Sequence, residues 1–185
     1  MMKREKKLKA IGILLVLGGT AGILYNWISG LKERERKIEE FILFFRKSIG
    51  VMESEKIKVI DYFGKYASQN IKTNNIEMQI LQHALTEIAR RLASNTYPNG
   101  QMVWEEVFME EKGKLSFDQE TFSILLRAGN GFFGRSREEN IRFLQKSVRE
   151  LETQQRKLAE KNAKERKVWV PVGMLGAVMV AILFV

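Results

Sequence analysis

The chain predicts an all-α protein: a helical bundle domain flanked by N- and C-terminal transmembrane helices. Three observations lead there. Two uncharged apolar runs lie near its ends, Ala10–Ile28 (AIGILLVLGGTAGILYNWI) and Val168–Val185 (VWVPVGMLGAVMVAILFV). Each approaches the ~20 residues with which a helix crosses ~30 Å of hydrocarbon. Between them, residues 29–167 are dense in Lys, Arg, Glu and Gln, and their apolar residues recur at three-and-four spacing. No alternating run is long enough to compete as a strand. The expected organisation is a basic flank over 1–9, a transmembrane helix over 10–28, a helical domain over 29–167 ending in a long stalk helix, and a transmembrane helix over 168–185.

The first span ends in Tyr25–Asn26–Trp27, an aromatic pair suited to a membrane interface. A basic stretch followed by an apolar run also describes a signal peptide. This run is longer than a typical h-region and lacks a clear A-x-A site, so a retained anchor is expected. Leu31–Met52 continues as helix with Ile38, Phe41, Ile42, Phe45, Ile49 and Met52 on one face. Glu55–Ser68 carries Ile57, Ile60, Phe63 and Ala67 on a similar face. Asn74 or Asn75 would cap the next helix, whose apolar positions are Ile76, Ile80, Leu81, Leu85, Ile88 and Leu92. Tyr97–Pro98–Asn99–Gly100 is a turn signal, followed by a short helix with Val103, Trp104, Val107 and Phe108. Ser116 with Gln119, and Ser136 with Glu139, both read as capping boxes. The last helix repeats Ile141, Leu144, Val148, Leu151, Gln155, Leu158, Asn162 and Glu165 at heptad spacing. Its apolar stripe fades after Leu158, which predicts a solvated, charged stalk beyond that point. Pro171 falls in the first turn of the second span, where it is tolerated if a helix restarts there.

Composition narrows the function. With no cysteine, disulfides and thiolate chemistry are excluded. The net charge of +9 is mixed with Glu almost everywhere rather than gathered in one patch, which argues against nucleic acid as a partner. Basic charge beside two spans instead suggests attraction to anionic headgroups. Five basic residues precede the first span, six follow it within 29–48, and seven precede the second within 149–167. Two spans put both termini on one side, and the larger basic count places the middle domain in the cytoplasm.

No catalytic constellation is legible. Gly129-Asn-Gly-Phe-Phe-Gly134-Arg135-Ser136 fits G-x-x-x-x-G-[K/R]-S, a near P-loop, with Arg135 in place of the lysine that reaches the outer phosphates. The plainer reading is a glycine-rich connection between two helices, ended by the Ser136 cap. His83 is the single histidine and lacks a metal-ligand pattern around it. Glu106 and Glu110 share a helix face, where a solvated role outweighs acid–base work. No cofactor and no metal are expected. In the spans, Gly18 and Gly22 form G-x-x-x-G, and Gly173 with Ala177 repeats the small-x-x-x-small spacing. Small residues so placed let helices approach closely in lipid, within one chain or in a homo-oligomer. The densest basic run is Arg156, Lys157, Lys161, Lys164, Arg166 and Lys167, a surface for lipid headgroups or for a partner.

Several features of the C-terminal half fall in an order that resembles a known family. Val103–Trp104–Glu105–Glu106 resembles an Ala-Trp-x-x box. Phe133–Gly134 followed by Arg135, Ser136 and Asn140 resembles a Leu-Gly-x-x-Asp…Gln signature, with Phe133, Ser136 and Asn140 departing from the Leu, Asp and Gln of that pattern. A long charged helix follows, then Val172–Gly173–Met174–Leu175–Gly176 opening the terminal apolar run. The whole is similar to stage III sporulation protein AB of endospore-forming bacteria. The resemblance implies a non-enzymatic subunit of a secretion-like channel complex between mother cell and forespore. It implies a two-pass location in the mother-cell membrane around the forespore. It implies a helical cytoplasmic domain like that of the platform protein of type II secretion and type IV pilus systems. The implied partners are a cytosolic ATPase (stage III sporulation protein AA-like) and other channel components. The alternatives are a nucleotide-binding membrane protein using Gly129–Ser136, or a membrane-bound regulator unrelated to sporulation.

Overall fold

The structure, a computed structural model, describes residues 2–55, 57–69, 76–94 and 97–183; the side chains of residues 2–11, 13, 14, 16, 17, 69, 76, 77, 181 and 183 lie outside the description. Every regular element among the described residues is helical: α1 (Met2–Ser54), α2 (Val59–Gln69), α3 (Ile76–Ala93), α4 (Gly100–Leu115), α5 (Gln119–Ala128), α6 (Asn130–Phe133) and α7 (Arg137–Leu183). The chain divides into two compact units, Arg34–Arg156 and Met1–Glu33 with Lys157–Val185.

The unit Arg34–Arg156 is organised by aromatic rings. Phe41, Phe44 and Phe45 of α1, Phe63 of α2, Trp104 and Phe108 of α4, and Phe132 of α6 are all buried. Phe63 and Phe132 meet edge to face at 4.9 Å between centroids, and Trp104 lies tilted against Phe108 at 4.6 Å and against Phe132 at 5.2 Å. Such pairs contribute ~0.5–1.5 kcal/mol each beyond the area they bury. Trp104 is wholly buried because its one polar atom is satisfied: Nε1 donates to the Leu125 carbonyl at 2.9 Å. Lys37 is buried for a similar reason, its Nζ donating at 2.9 Å to the Lys114 carbonyl at the negative end of α4.

The expected faces hold in α1, α4 and α7, where Ile38, Phe41, Ile42 and Phe45, then Val103, Trp104, Val107 and Phe108, then Leu144, Val148 and Leu151 are buried. Ile49 and Met52 are only partly buried, and Phe44, not expected, is wholly so. In α2 the buried stripe is Tyr62, Phe63, Tyr66 and Ala67, while Ile60 is exposed and Ile57 precedes the helix. Tyrosine displaces isoleucine there because its polar tip finds a partner: Tyr62 Oη and the buried Ser48 Oγ are hydrogen-bonded at 3.1 Å.

The caps need one correction. Ser136 does cap α7, its Oγ accepting from the Glu139 amide at 3.2 Å. Ser116 instead ends α4, in the left-handed region at φ 54, with its amide donating to Lys112 O. The N-cap of α5 is Asp118, whose carboxylate accepts from the Thr121 amide at 2.8 Å. A residue already turned into the left-handed region to close one helix cannot hold the extended backbone that opens another. Asn99 converts the Tyr97–Gly100 turn into the N-cap of α4, accepting from Met102 N at 2.9 Å. The cap expected at Asn74 or Asn75 lies outside the described residues.

In the unit Met1–Glu33 with Lys157–Val185, α1 and α7 meet at small and polar residues. A Cβ on Gly173 would stand 3.1 Å from Leu24 Cδ2, and Ala177 is buried. Asn162 is 1% exposed, and its Nδ2 donates to Leu31 O at 3.3 Å. The charged stretch after Leu158 is therefore not wholly solvated, because one polar side chain in it packs against the α1 backbone. Helix α7 runs through Pro171 without restarting. Large apolar side chains lie on the outside of this unit, Ile23, Tyr25, Met174, Leu175, Met179 and Ile182 among them. Among the described residues no helix is long and apolar enough to cross a membrane. Of the expected spans, the side chains of residues 10, 11, 13, 14, 16, 17, 181 and 183, and all of 184 and 185, lie outside the described residues.

Candidate functional site

Gly129–Ser136 is shaped by close packing. α5 ends at Ala128, Gly129 opens the short α6, and Gly134–Ser136 leads into α7. A Cβ on Gly129 would stand 2.6 Å from Trp104 Cδ1, and one on Gly131 would stand 2.6 Å from Leu144 Cγ and 3.2 Å from the Leu144 amide nitrogen. One on Gly134 would strike Asn140 Oδ1. Glycine is needed where this backbone presses on α4 and α7. The amides of Phe132 and Phe133 both donate to Gly129 O, at 2.8 and 3.2 Å. A P-loop follows a strand and turns its amides toward phosphate. Here the preceding element is helix α5 and these two amides are spent within α6. Arg135 and Ser136 are exposed beside the turn.

The carboxylates of α4 have a different role. Arg91 of α3 is mostly buried and reaches Glu110 at 2.7 Å, Glu87 at 2.7 Å and Glu106 at 3.4 Å. Glu106 and Glu110, which share a face as the spacing implies, thus join α4 to α3. Hydrogen bonds from Arg90 and then Arg91 hold the Glu87 carboxyl at about 2, well below its ordinary range. Arg91 was not legible as the hub: its i, i+4 relation to Glu87 is visible in sequence, but its reach across to α4 is not. His83 lies on the exposed side of α3, with Nδ1 3.2 Å from Oε1 of the buried Glu111. Lys114 meets the same carboxylate at 2.9 Å. Among the described residues no group of three or more His, Asp or Glu is placed to hold a metal.

The small residues of the expected spans divide into two kinds. Gly173 and Ala177 pack within the chain, against α1 in the case of Gly173. Gly18 and Gly22 are exposed, and a Cβ on either would meet nothing within 4 Å. In the basic run, Arg156, Lys157, Lys161, Lys164 and Lys167 are exposed along α7. Arg166 is partly buried, its Nε donating to Asn162 O at 3.3 Å. Lys161 stands 4.0 Å from Glu165 one turn on. Among the described residues the arrangement offers surfaces: a helical unit with an aromatic core, and a second unit that exposes large apolar side chains beside the basic run of α7.

The family model described as stage III sporulation protein AB matches residues 9–185, taking in both apolar runs and everything between them. The chain matches no curated protein and no solved structure.

Proposed function

The chain belongs to the stage III sporulation protein AB family, and from that premise we propose that it is a non-enzymatic, membrane-held platform of a secretion-like channel complex between mother cell and forespore. It sits in the mother-cell membrane around the forespore, crossing it at 10–28 and 168–185, with the middle domain in the cytoplasm. There it docks a cytosolic ATPase and couples it to the membrane components of the channel.

One observation carries the membrane part of this reading. In the unit Met1–Glu33 with Lys157–Val185, Tyr25 is 76% and Met179 72% exposed, and Ile23, Leu175 and Ile182 are similar. A helix pair in water turns such residues inward; one in lipid has no reason to. The two runs without charge and their aromatic and basic borders agree with it. The platform part rests on the family. Gly18 and Gly22, uncovered among the described residues, suit a further helix from a second copy or from a channel component.

Co-purification from sporulating cells tests the proposal. The full chain, tagged and extracted in neutral detergent, should stay with the membrane fraction through a carbonate wash and bring the ATPase with it. Release by carbonate would overturn the anchoring. Retention without the ATPase would overturn the platform role.

A further inference from the structure

We propose that the cleft between the end of α1 and the start of α2 binds an acidic peptide segment of a partner protein, taking one large apolar side chain at its floor while Lys47 and Lys65 meet the flanking carboxylates. The cleft deepens the platform reading by naming a docking face and the chemistry that fits it.

The cleft has a volume of about 190 Å³ and is lined by Lys47, Val51, Ile57, Tyr62, Lys65 and Tyr66, with Glu55 at its edge. That is below the ~300–1,000 Å³ of pockets that enclose small ligands, and it suits a single anchoring side chain. Its floor is aromatic and rigid. Tyr62 and Tyr66 are each 5% exposed, and Tyr62 is tied to the buried Ser48. Burial, with smaller effects from Tyr62 and Glu40, pushes the Tyr66 hydroxyl up to about 12, so the floor stays neutral at any physiological pH. The charge is at the rim. Lys47 Nζ stands 5.0 Å over the Tyr66 ring. Neither Lys47 nor Lys65 is engaged in an ion pair among the described residues. Two unpaired ammonium groups against the single carboxylate of Glu55 leave the lining net positive. An apolar anchor between acidic neighbours matches both the floor and the rim.

The probe is a terminally blocked peptide, Asp-Glu-(4-fluoro-Phe)-Glu-Asp, titrated into the full chain in neutral detergent and followed by fluorine NMR. A saturable shift that weakens with salt is expected. The double variant Lys47→Glu/Lys65→Glu should weaken binding at least tenfold, and Lys47→Arg/Lys65→Arg should retain it. Val51→Trp, which fills the cleft without touching the charge, should also abolish the shift. Helical circular dichroism of each variant checks that it is folded; all three lining positions are at least partly exposed. The absence of a saturable shift at millimolar peptide, an equal shift with Lys-Arg-(4-fluoro-Phe)-Arg-Lys, or undiminished binding by the folded double or Val51 variant would overturn the proposal. So would a response of these lysines to phosphatidylglycerol vesicles but not to peptide. Failure here with the ATPase still co-purifying removes the cleft and leaves the platform reading; peptide binding without the ATPase does the reverse.

Discussion

Single residues show where the chain's chemistry is committed to packing. Gly131 and Gly64 are both helical, yet a Cβ would mean opposite things at the two sites. At Gly131 it would overlap Leu144; at Gly64 it would meet nothing within 4 Å. Gly131→Ala should therefore destabilise by ~1–3 kcal/mol through overpacking. Gly64→Ala should stabilise by ~0.5–1 kcal/mol by restricting the unfolded chain. Thermal melts of the full chain in detergent separate the two; a loss at both sites would mean that glycine serves some need other than space. The Glu87 carboxyl gives a second test. Its folded pKa of about 2 lies below the unfolded ~4.3, so the Arg90 and Arg91 contacts stabilise fully above ~4.3. That contribution is lost as pH falls from there toward 2. Glu87→Gln should flatten the acid side of the stability profile in that window and leave its slope at neutral pH unchanged. The effect is small, since Arg90 is exposed and its pair is screened. An unchanged slope between pH 4 and 2 would show that these arginines do not hold the carboxylate.

At the scale of elements, periodicity told which faces turn inward but not what covers them. The stripes of α1, α4 and α7 were legible because their apolar residues are large, regular and uninterrupted. The α2 stripe was legible only at Phe63 and Ala67; Tyr62 joins them because the group that meets its hydroxyl, Ser48, lies on another helix. The Ser116 and Asp118 caps stand two residues apart, and local sequence does not say which closes α4 and which opens α5. Asn162 read as solvated because the α1 carbonyl it meets is far away in the chain. The Gly129–Ser136 pattern was legible as a connection, while the reason for its glycines lies in Trp104 and Leu144. Helix α7 carries a prediction that depends on this distinction. Leu144 is wholly buried and Leu158 only partly so. Leu144→Ala should cost ~2–5 kcal/mol, as large-to-small core changes do, and Leu158→Ala much less. Equal losses in denaturant melts would mean that Leu158 is covered as completely as Leu144.

At the scale of the whole molecule, the decisive quantity is the distribution of positive charge about the two apolar runs. Lys3, Arg4, Lys6, Lys7 and Lys9 lie before the first run. Lys32, Arg34, Arg36, Lys37, Arg46 and Lys47 follow it, and Arg149, Arg156, Lys157, Lys161, Lys164, Arg166 and Lys167 precede the second. Basic residues near a span resist translocation, and acidic ones contribute little to orientation, so the Glu residues mixed through these flanks do not cancel them. If both runs cross, the two inner flanks share one side and act together, thirteen basic residues against five. The N-terminal cluster opposes this orientation, and the first span usually carries much of the decision. The proposed orientation requires the inner flanks to outweigh it: the first run has six basic residues on its inner side as well, so its own preference would be nearly balanced and the second run would break the tie. We predict on that balance that the middle domain, and with it the α1–α2 cleft, faces the cytoplasm. A fluorescent protein that matures only in the cytoplasm, fused after Val185, should stay dark, and alkaline phosphatase at the same point should be active. Exchanging Lys157, Lys161, Lys164 and Lys167 for Gln should shift the balance toward the opposite orientation and give a measurable bright fraction. Brightness in the parent fusion would place Val185 in the cytoplasm and require that the orientation be reversed or that one of the two runs does not cross.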